Sequence, residues 1–245
     1  MSAGAVWSIL ATVVCIGFAT ETALGFGAMV VSLALGAQLV PLDELLAILV
    51  PLNLALSAYL AIRHVRAVDR SFLLRRLLVP VFLGVPVGLF GIARLPREWS
   101  VRAFGGFVVL LATSELIRSA RRRDAARLSS LARVALLVLG GAIHGAFVTG
   151  GPLIVYVVGR ELPDKHAFRA TLATLWTLLG LAVLASLAWT GRITPSSLSG
   201  TALLALPAGV GLFVGELVHR RFDGARLRLG VFLLLLLAGA LLLRG

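Results

Sequence analysis

Two glycine turns stand inside hydrophobic stretches, Thr22-Ala-Leu-Gly-Phe-Gly-Ala28 and Phe147-Val-Thr-Gly-Gly-Pro152. Each is placed to start an apolar helix from within a membrane. Such a start leaves backbone N–H groups unpaired beside the positive end of the helix dipole. That makes an anion site without a buried cation. The expected ligands are Gly25, Phe26 and Gly27 at the first turn and Thr149, Gly150, Gly151 and Pro152 at the second. Glycine lets a backbone approach its ligand closely, and proline suits the first turn of a helix, where its missing N–H costs nothing. Thr149 offers an N-cap or a hydroxyl donor to a ligand. The competing explanation is that these glycines only let helices pack closely.

Several other residues have chemistry that apolar segments rarely carry. Glu21 lies four positions before Gly25 in an apolar run. A buried carboxyl there is expensive unless it is protonated or paired. It reads as a proton-coupling group, a partner for a basic residue, or a protonated bystander. His144 is a second proton-coupling candidate, or else a packed imidazole bonded to a carbonyl. Arg169 opens an apolar segment and could hold an anion with a two-pronged hydrogen bond or extend to the headgroups. Thr171, Thr174 and Thr177 recur at helical spacing, as do Asn53 and Ser57. Asn53 and Thr174 are the site candidates among them, although threonines in membrane helices often bond back to their own backbone.

The surrounding composition fixes the class. Of the 245 residues, 59% are hydrophobic and 14% charged, and the mean hydropathy is +1.01. A soluble domain cannot cover its surface with that mixture, whereas a polytopic membrane protein requires it. The net charge of +12 does not point to nucleic acid, because the basic residues sit in short loops between apolar runs. The single cysteine, Cys15, lies in an apolar run as a packing residue. No phosphate loop, zinc helix, nucleophile elbow or cysteine cluster is present. The chain therefore reads as neither an ATPase nor an enzyme, and no cofactor or metal is expected.

Apolar runs fall at about 5–20, 26–40, 45–62, 72–92, 100–117, 134–148, 152–159, 167–189, 197–217 and 227–243. Most can cross a bilayer as helices. The exceptions are the two pairs joined by the glycine turns, read as pairs of short half-helices. Gly17 and Gly27 recur as Gly141 and Gly151 at an offset of 124, and Arg102 and Gly106 recur as Arg226 and Gly230 at the same offset. Pro86 and Gly88 recur as Pro207 and Gly209 at 121. This pattern predicts a single membrane domain, 1–245, made of two repeats, 1–122 and 123–245, with the joint near Arg121–Asp124. If each broken pair enters and leaves on one side, the 23 basic residues divide 18 to 5 between the two sides. That is a strong positive-inside bias. The expected architecture is all-α and polytopic: two inverted repeats, each a re-entrant glycine-broken helix pair plus three transmembrane helices, with both termini outside. Ten short crossings would give the same sidedness.

The residues at the turns also resemble a known family. Gly25-Phe-Gly-Ala-Met-Val-Val31 followed by Pro41, then Gly145-Ala-Phe-Val-Thr-Gly-Gly-Pro152, Phe168-Arg-Ala-Thr-Leu172 and Gly191-Arg-Ile-Thr194, resemble the TauE/SafE membrane permeases. Many members carry three glycines at the turn, where this chain has Gly-Phe-Gly and Gly-Gly-Pro. The resemblance implies export of small sulfur-containing anions such as sulfite or an organosulfonate, usually across the bacterial inner membrane. It also implies a functional Arg169. The expected mechanism is secondary transport by alternating access, with the anion at the midplane between opposed helix N-termini. The alternative is an anion channel on the same scaffold. The expected partners are the substrate anion and the lipid bilayer; the oligomeric state stays open.

Overall fold

Long hydrophobic runs satisfy their own backbone only as helices when no water is at hand, and the chain folds accordingly. The computed structural model describes residues 2–24, 26–92, 96–121, 128–162, 164–221 and 224–244. Among them the order is α1 (Ala3–Leu24), α2 (Ala28–Gly36), α3 (Leu42–Arg63), a 3-10 turn (Val65–Ala67), then α4 (Arg70–Phe72) running through a π-helical segment (Leu73–Leu78) into α5 (Val79–Ile92). There follow α6 (Arg97–Arg121), α7 (Ser130–Phe147), α8 (Gly151–Glu161), α9 (Lys165–Trp189), α10 (Pro195–Arg221) and α11 (Gly224–Arg244). Six described segments are long and apolar enough to cross a membrane: Ala3–Ala23, Leu42–Arg63, Arg70–Gly91, Ser130–Phe147, His166–Trp189 and Pro195–Val218. The chain is a multi-pass membrane protein. The expected joint at Arg121–Asp124 falls mostly outside the described residues, as does Gly25.

The broken pairs differ from expectation in one respect. The first member of each is not a half-helix: α1 has 22 residues and α7 has 18. Only the second members are short, α2 with 9 residues and α8 with 11. At 1.5 Å per residue those two rise only about 14 and 17 Å. The apolar run stops at about residue 20, whereas α1 continues through the polar Thr20-Glu21-Thr22 to Leu24. Thr20 donates its hydroxyl to the Ile16 carbonyl at 2.8 Å, and Glu21 finds its partner across the turn, as described below.

The helices fall into two compact units, each drawing on both halves of the chain. The first comprises residues 1–49, 96–124 and 194–245. In it α1 packs along α10 and against α2, and α6 packs along α11. Gly211 and Gly215, one turn apart on α10, let that helix approach α1 closely, because a Cβ at either would strike the Cys15 or the Ala19 carbonyl. Thr201 on α10 donates its hydroxyl to the Ile48 carbonyl of α3 at 2.8 Å, three residues before Pro51 interrupts that helix's hydrogen bonding. Phe26 packs its ring on Phe232 of α11, with centroids 6.4 Å apart.

The second unit comprises residues 50–95 and 125–193. Here α5 packs along α7 through four glycines. A Cβ at Gly84 would strike the Val138 carbonyl and one at Gly88 the Ala142 carbonyl. In return, Cβ atoms at Gly141 and Gly145 would strike the Val81 and Val85 carbonyls. Around this seam a core forms from Leu77, Val81 and Val85 with Leu137, Ile154, Val157, Leu172, Leu175 and Trp176. At one end of the unit Glu161, near the C-terminus of α8, pairs with Arg133 at 3.1 Å and Arg76 at 3.3 Å. Nearby, Thr171 accepts the Asp69 N–H at 3.0 Å. These contacts fix the C-terminal end of the short helix and leave its N-terminus inside the unit.

Candidate anion site at the start of the eighth helix

The second turn is built by a reversal at the end of α7. Val148 takes the left-handed conformation, φ 56° and ψ 23°, and donates its N–H to the His144 carbonyl at 2.7 Å. A β-branched residue is strained there. Gly150 follows as the N-cap of α8, and its bare α-carbon is pressed against the Gly140 carbonyl and the His144 Cβ. No larger residue fits, so this glycine is required by packing. Pro152 occupies the first turn of α8 and removes one donor. No side chain caps the helix. Its free N–H groups and dipole therefore emerge at the turn with no acidic side chain among the described residues bonded to them.

Two polar side chains lie at this spot. Thr149 is 1% exposed and His144 3%. The Thr149 hydroxyl and both His144 ring nitrogens lack a hydrogen-bond partner among the described residues. Folded proteins seldom leave such groups unpaired. The imidazole lies flat on the Trp176 indole, centroids 5.7 Å apart and planes 8° from parallel.

The first turn has a similar outline and different chemistry. Gly27 caps α2 with φ 125°, a conformation natural only to glycine, and a Cβ there would sit 2.9 Å from the Thr20 methyl. The first N–H of α2 is already taken: Ala28 donates it to the Glu21 carboxyl at 3.0 Å, within a buried setting. One helix N-terminus thus meets an internal acid, while the other does not. The sequence position that matches Glu21 at an offset of 124 is Gly145, whose missing side chain makes room for the Val85 carbonyl. An acid cannot stand there.

Comparison with known proteins agrees with this architecture. The family model for the sulfite exporter TauE/SafE matches residues 9–242. The chain belongs to the TauE/SafE family. No curated protein and no solved structure matches it. Membership makes this a membrane transporter family protein, as the residues at the two turns implied.

The remaining candidates of this TauE/SafE protein separate into bonded and unbonded groups. Thr174 and Thr177 donate to the Ala170 and Ala173 carbonyls at 2.9 and 2.8 Å, the back-bonding common to threonines in membrane helices. Arg169, partly buried in the second turn of α9, has interactions of its own. Asn53 and Ser57 on α3 are buried, and the Asn53 Oδ1 and the Ser57 hydroxyl lack partners among the described residues. Among those residues no three of His, Cys, Asp or Glu come together as a metal would need. Sequence reasoning missed two structural features. One is Trp176, seven residues beyond Arg169, as the platform for His144. The other is the glycine seam, visible as Gly84-x3-Gly88 and Gly141-x3-Gly145.

Two local predictions follow from the turns. Glu21→Ala strips the Ala28 N–H of its acceptor in a buried site and is expected to cost about 1–3 kcal/mol. Glu21→Gln keeps an acceptor oxygen and should cost less. Thermal unfolding in detergent checks the order wild type, Gln, Ala; equal melting of all three would contradict the capping role. Val148→Gly relieves the left-handed backbone but deletes a buried side chain, and the loss is expected to outweigh the relief by about 1 kcal/mol, with a lower melting temperature as its signature.

Proposed function

We propose that the protein is a secondary transporter, and by its family an exporter, of a small sulfur-containing anion such as sulfite or an organosulfonate. The observation that carries the reading is the start of α8: an uncapped helix N-terminus flanked by a buried, partnerless Thr149 hydroxyl and His144 imidazole. A compact oxyanion would accept the N–H of Gly151, the Thr149 hydroxyl and one imidazole N–H together, which pairs three of the groups left unpaired at the empty turn. Pro152 shapes that turn without competing for the ligand. Gly150 brings His144 and the helix start close together. Asn53 and Ser57 supply further unpaired polar atoms in α3, and Arg169 adds positive charge on α9 about two turns from Trp176. At the first turn Gly27 and Phe26 hold the backbone while Glu21 fills the helix start, so that turn contributes shape and a fixed acid. Positive loops on one side favour an inverted pair of repeats in a bacterial inner membrane, both termini outside.

The test is uptake of radiolabelled sulfite into proteoliposomes, with small sulfonates as competitors and the membrane potential clamped. Saturable flux, competed by sulfonates and without proportional current, is the expected result. Current that rises with voltage and does not saturate would make the protein a channel. Folded protein that moves no sulfur oxyanion would remove the substrate assignment.

A further inference from the structure

The partnerless histidine beside the α8 start has chemistry that an anion site does not strictly need. Backbone N–H groups and a hydroxyl suffice for a weak anion site, and a neutral imidazole offers only one donor. His144 instead sits with both ring nitrogens unpaired and its face on an indole. An aromatic face favours a cation stacked on it. An imidazolium without a counter-charge is costly when buried; the described carboxylates of the unit are Glu161 and the two helix caps Asp69 and Asp164, which accept the Phe72 and Ala167 N–H groups. On α7 itself the only other charged residue is Arg133, eleven positions away. On α5, packed along it, there is no titratable residue. On α8 the titratable groups are Tyr156, Arg160 and Glu161, toward the far end; Arg160 lies 3.8 Å over the Tyr156 ring and Glu161 is held by Arg76 and Arg133. On α9 they are Lys165, His166 and Arg169, the last seven residues before Trp176, about 10 Å along the axis. On the second-unit part of α3 they are Tyr59 and Arg63, which bond to each other at 2.8 Å. Among the described residues none of these elements offers the ring a carboxylate without a partner, so the negative charge that would favour an imidazolium arrives with the substrate.

We propose that His144 takes up one proton when an anion occupies the start of α8, so that the site binds an anion and a proton together. This rests on the anion site proposed above and adds its coupling ion. The bound state then holds a stacked imidazolium donating to the anion, with Thr149 and the α8 backbone donating from the other side. Charge entering the site is balanced, which lowers the cost of carrying the ligand through a membrane. By linkage, protonation and anion binding strengthen each other equally.

Isothermal titration of the full chain in detergent tests this, with methanesulfonate as the probe because it stays anionic from pH 5.5 to 8.5. Paired buffers of different ionisation heat report the protons taken up per anion. The expected result is close to one proton per anion near neutrality, and an affinity falling about tenfold per pH unit on the alkaline side. In His144→Gln, which keeps an N–H donor, proton uptake is expected to vanish and affinity to become independent of pH. In Trp176→Phe the fall in affinity should move to lower pH, because the weaker aromatic face supports the cation less. Methanesulfonate binding without proton uptake in the wild type overturns the inference and leaves the anion site standing. Proton uptake unchanged in His144→Gln overturns it as well, by assigning the proton to another group. Failure of both methanesulfonate and sulfite to bind folded wild type overturns the anion site and this inference with it.

Discussion

Gly88→Leu is expected to leave no folded protein, with a loss of more than about 3 kcal/mol. The reason is what a side chain would meet. A Cβ at Gly88 lands on the Ala142 carbonyl and close to the Ala146 amide, both backbone atoms of a helix that cannot rotate away. Three more glycines of the same seam face carbonyls in the same manner: Gly84 against Val138, Gly141 against Val81 and Gly145 against Val85. Membrane helices gain little from burying apolar surface against each other, since lipid is equally apolar; close backbone approach supplies the packing instead. Separating α5 from α7 to admit a leucine would open that whole seam and the core around Leu137 and Ile154. Fluorescence-detected gel filtration and thermal unfolding in mild detergent read the result. A symmetric wild-type peak with an unchanged melting temperature would show that the seam tolerates separation. Gly91→Leu on the same helix is the control, because nothing lies within 4 Å of a Cβ there.

The seam also shows where sequence reasoning stops. Membrane class and the positions of the breaks were legible, because hydropathy and glycine or proline within an apolar run have direct backbone consequences. Gly141 and Gly88 were legible as recurring marks, but a glycine does not say which helix it admits. That depends on distant residues such as Val81 and Ala142. The helix lengths at the breaks misled for a related reason. The apolar run stops at about residue 20, yet α1 continues to Leu24, with Thr20 bonded within the helix and Glu21 bonded just across the turn. The order of the chain divides naturally near residue 122, whereas packing groups α1 with α10 and α5 with α7, so each unit takes helices from both parts. The candidate site was half legible. Thr149, Gly150 and His144 could be named from the sequence, but the inequality of the two turns could not. It arises because Glu21 reaches Ala28 at one of them, while Gly145 excludes any side chain from the matching position at the other.

Thr149→Val is expected to move stability and binding in opposite directions. Valine matches threonine in shape and in its β-branched backbone preference, so the turn between α7 and α8 keeps its form. The hydroxyl it removes is buried and has no partner among the described residues, so the empty protein loses nothing by its absence. Removing an unsatisfied buried polar atom is neutral or stabilising, by up to about 1 kcal/mol. The anion-bound protein is different. A hydrogen bond to a charged ligand contributes about 1.5–3 kcal/mol, so affinity for sulfite or methanesulfonate is expected to fall by about tenfold or more. Melting temperatures with and without ligand separate the two effects. The variant should melt at or above the wild type when empty, and should gain far less from a given anion concentration. A residue kept for packing gives the opposite pattern, lower stability with intact binding. That outcome would move the anion away from the start of α8. This variant therefore measures directly whether a ligand uses the buried Thr149 hydroxyl.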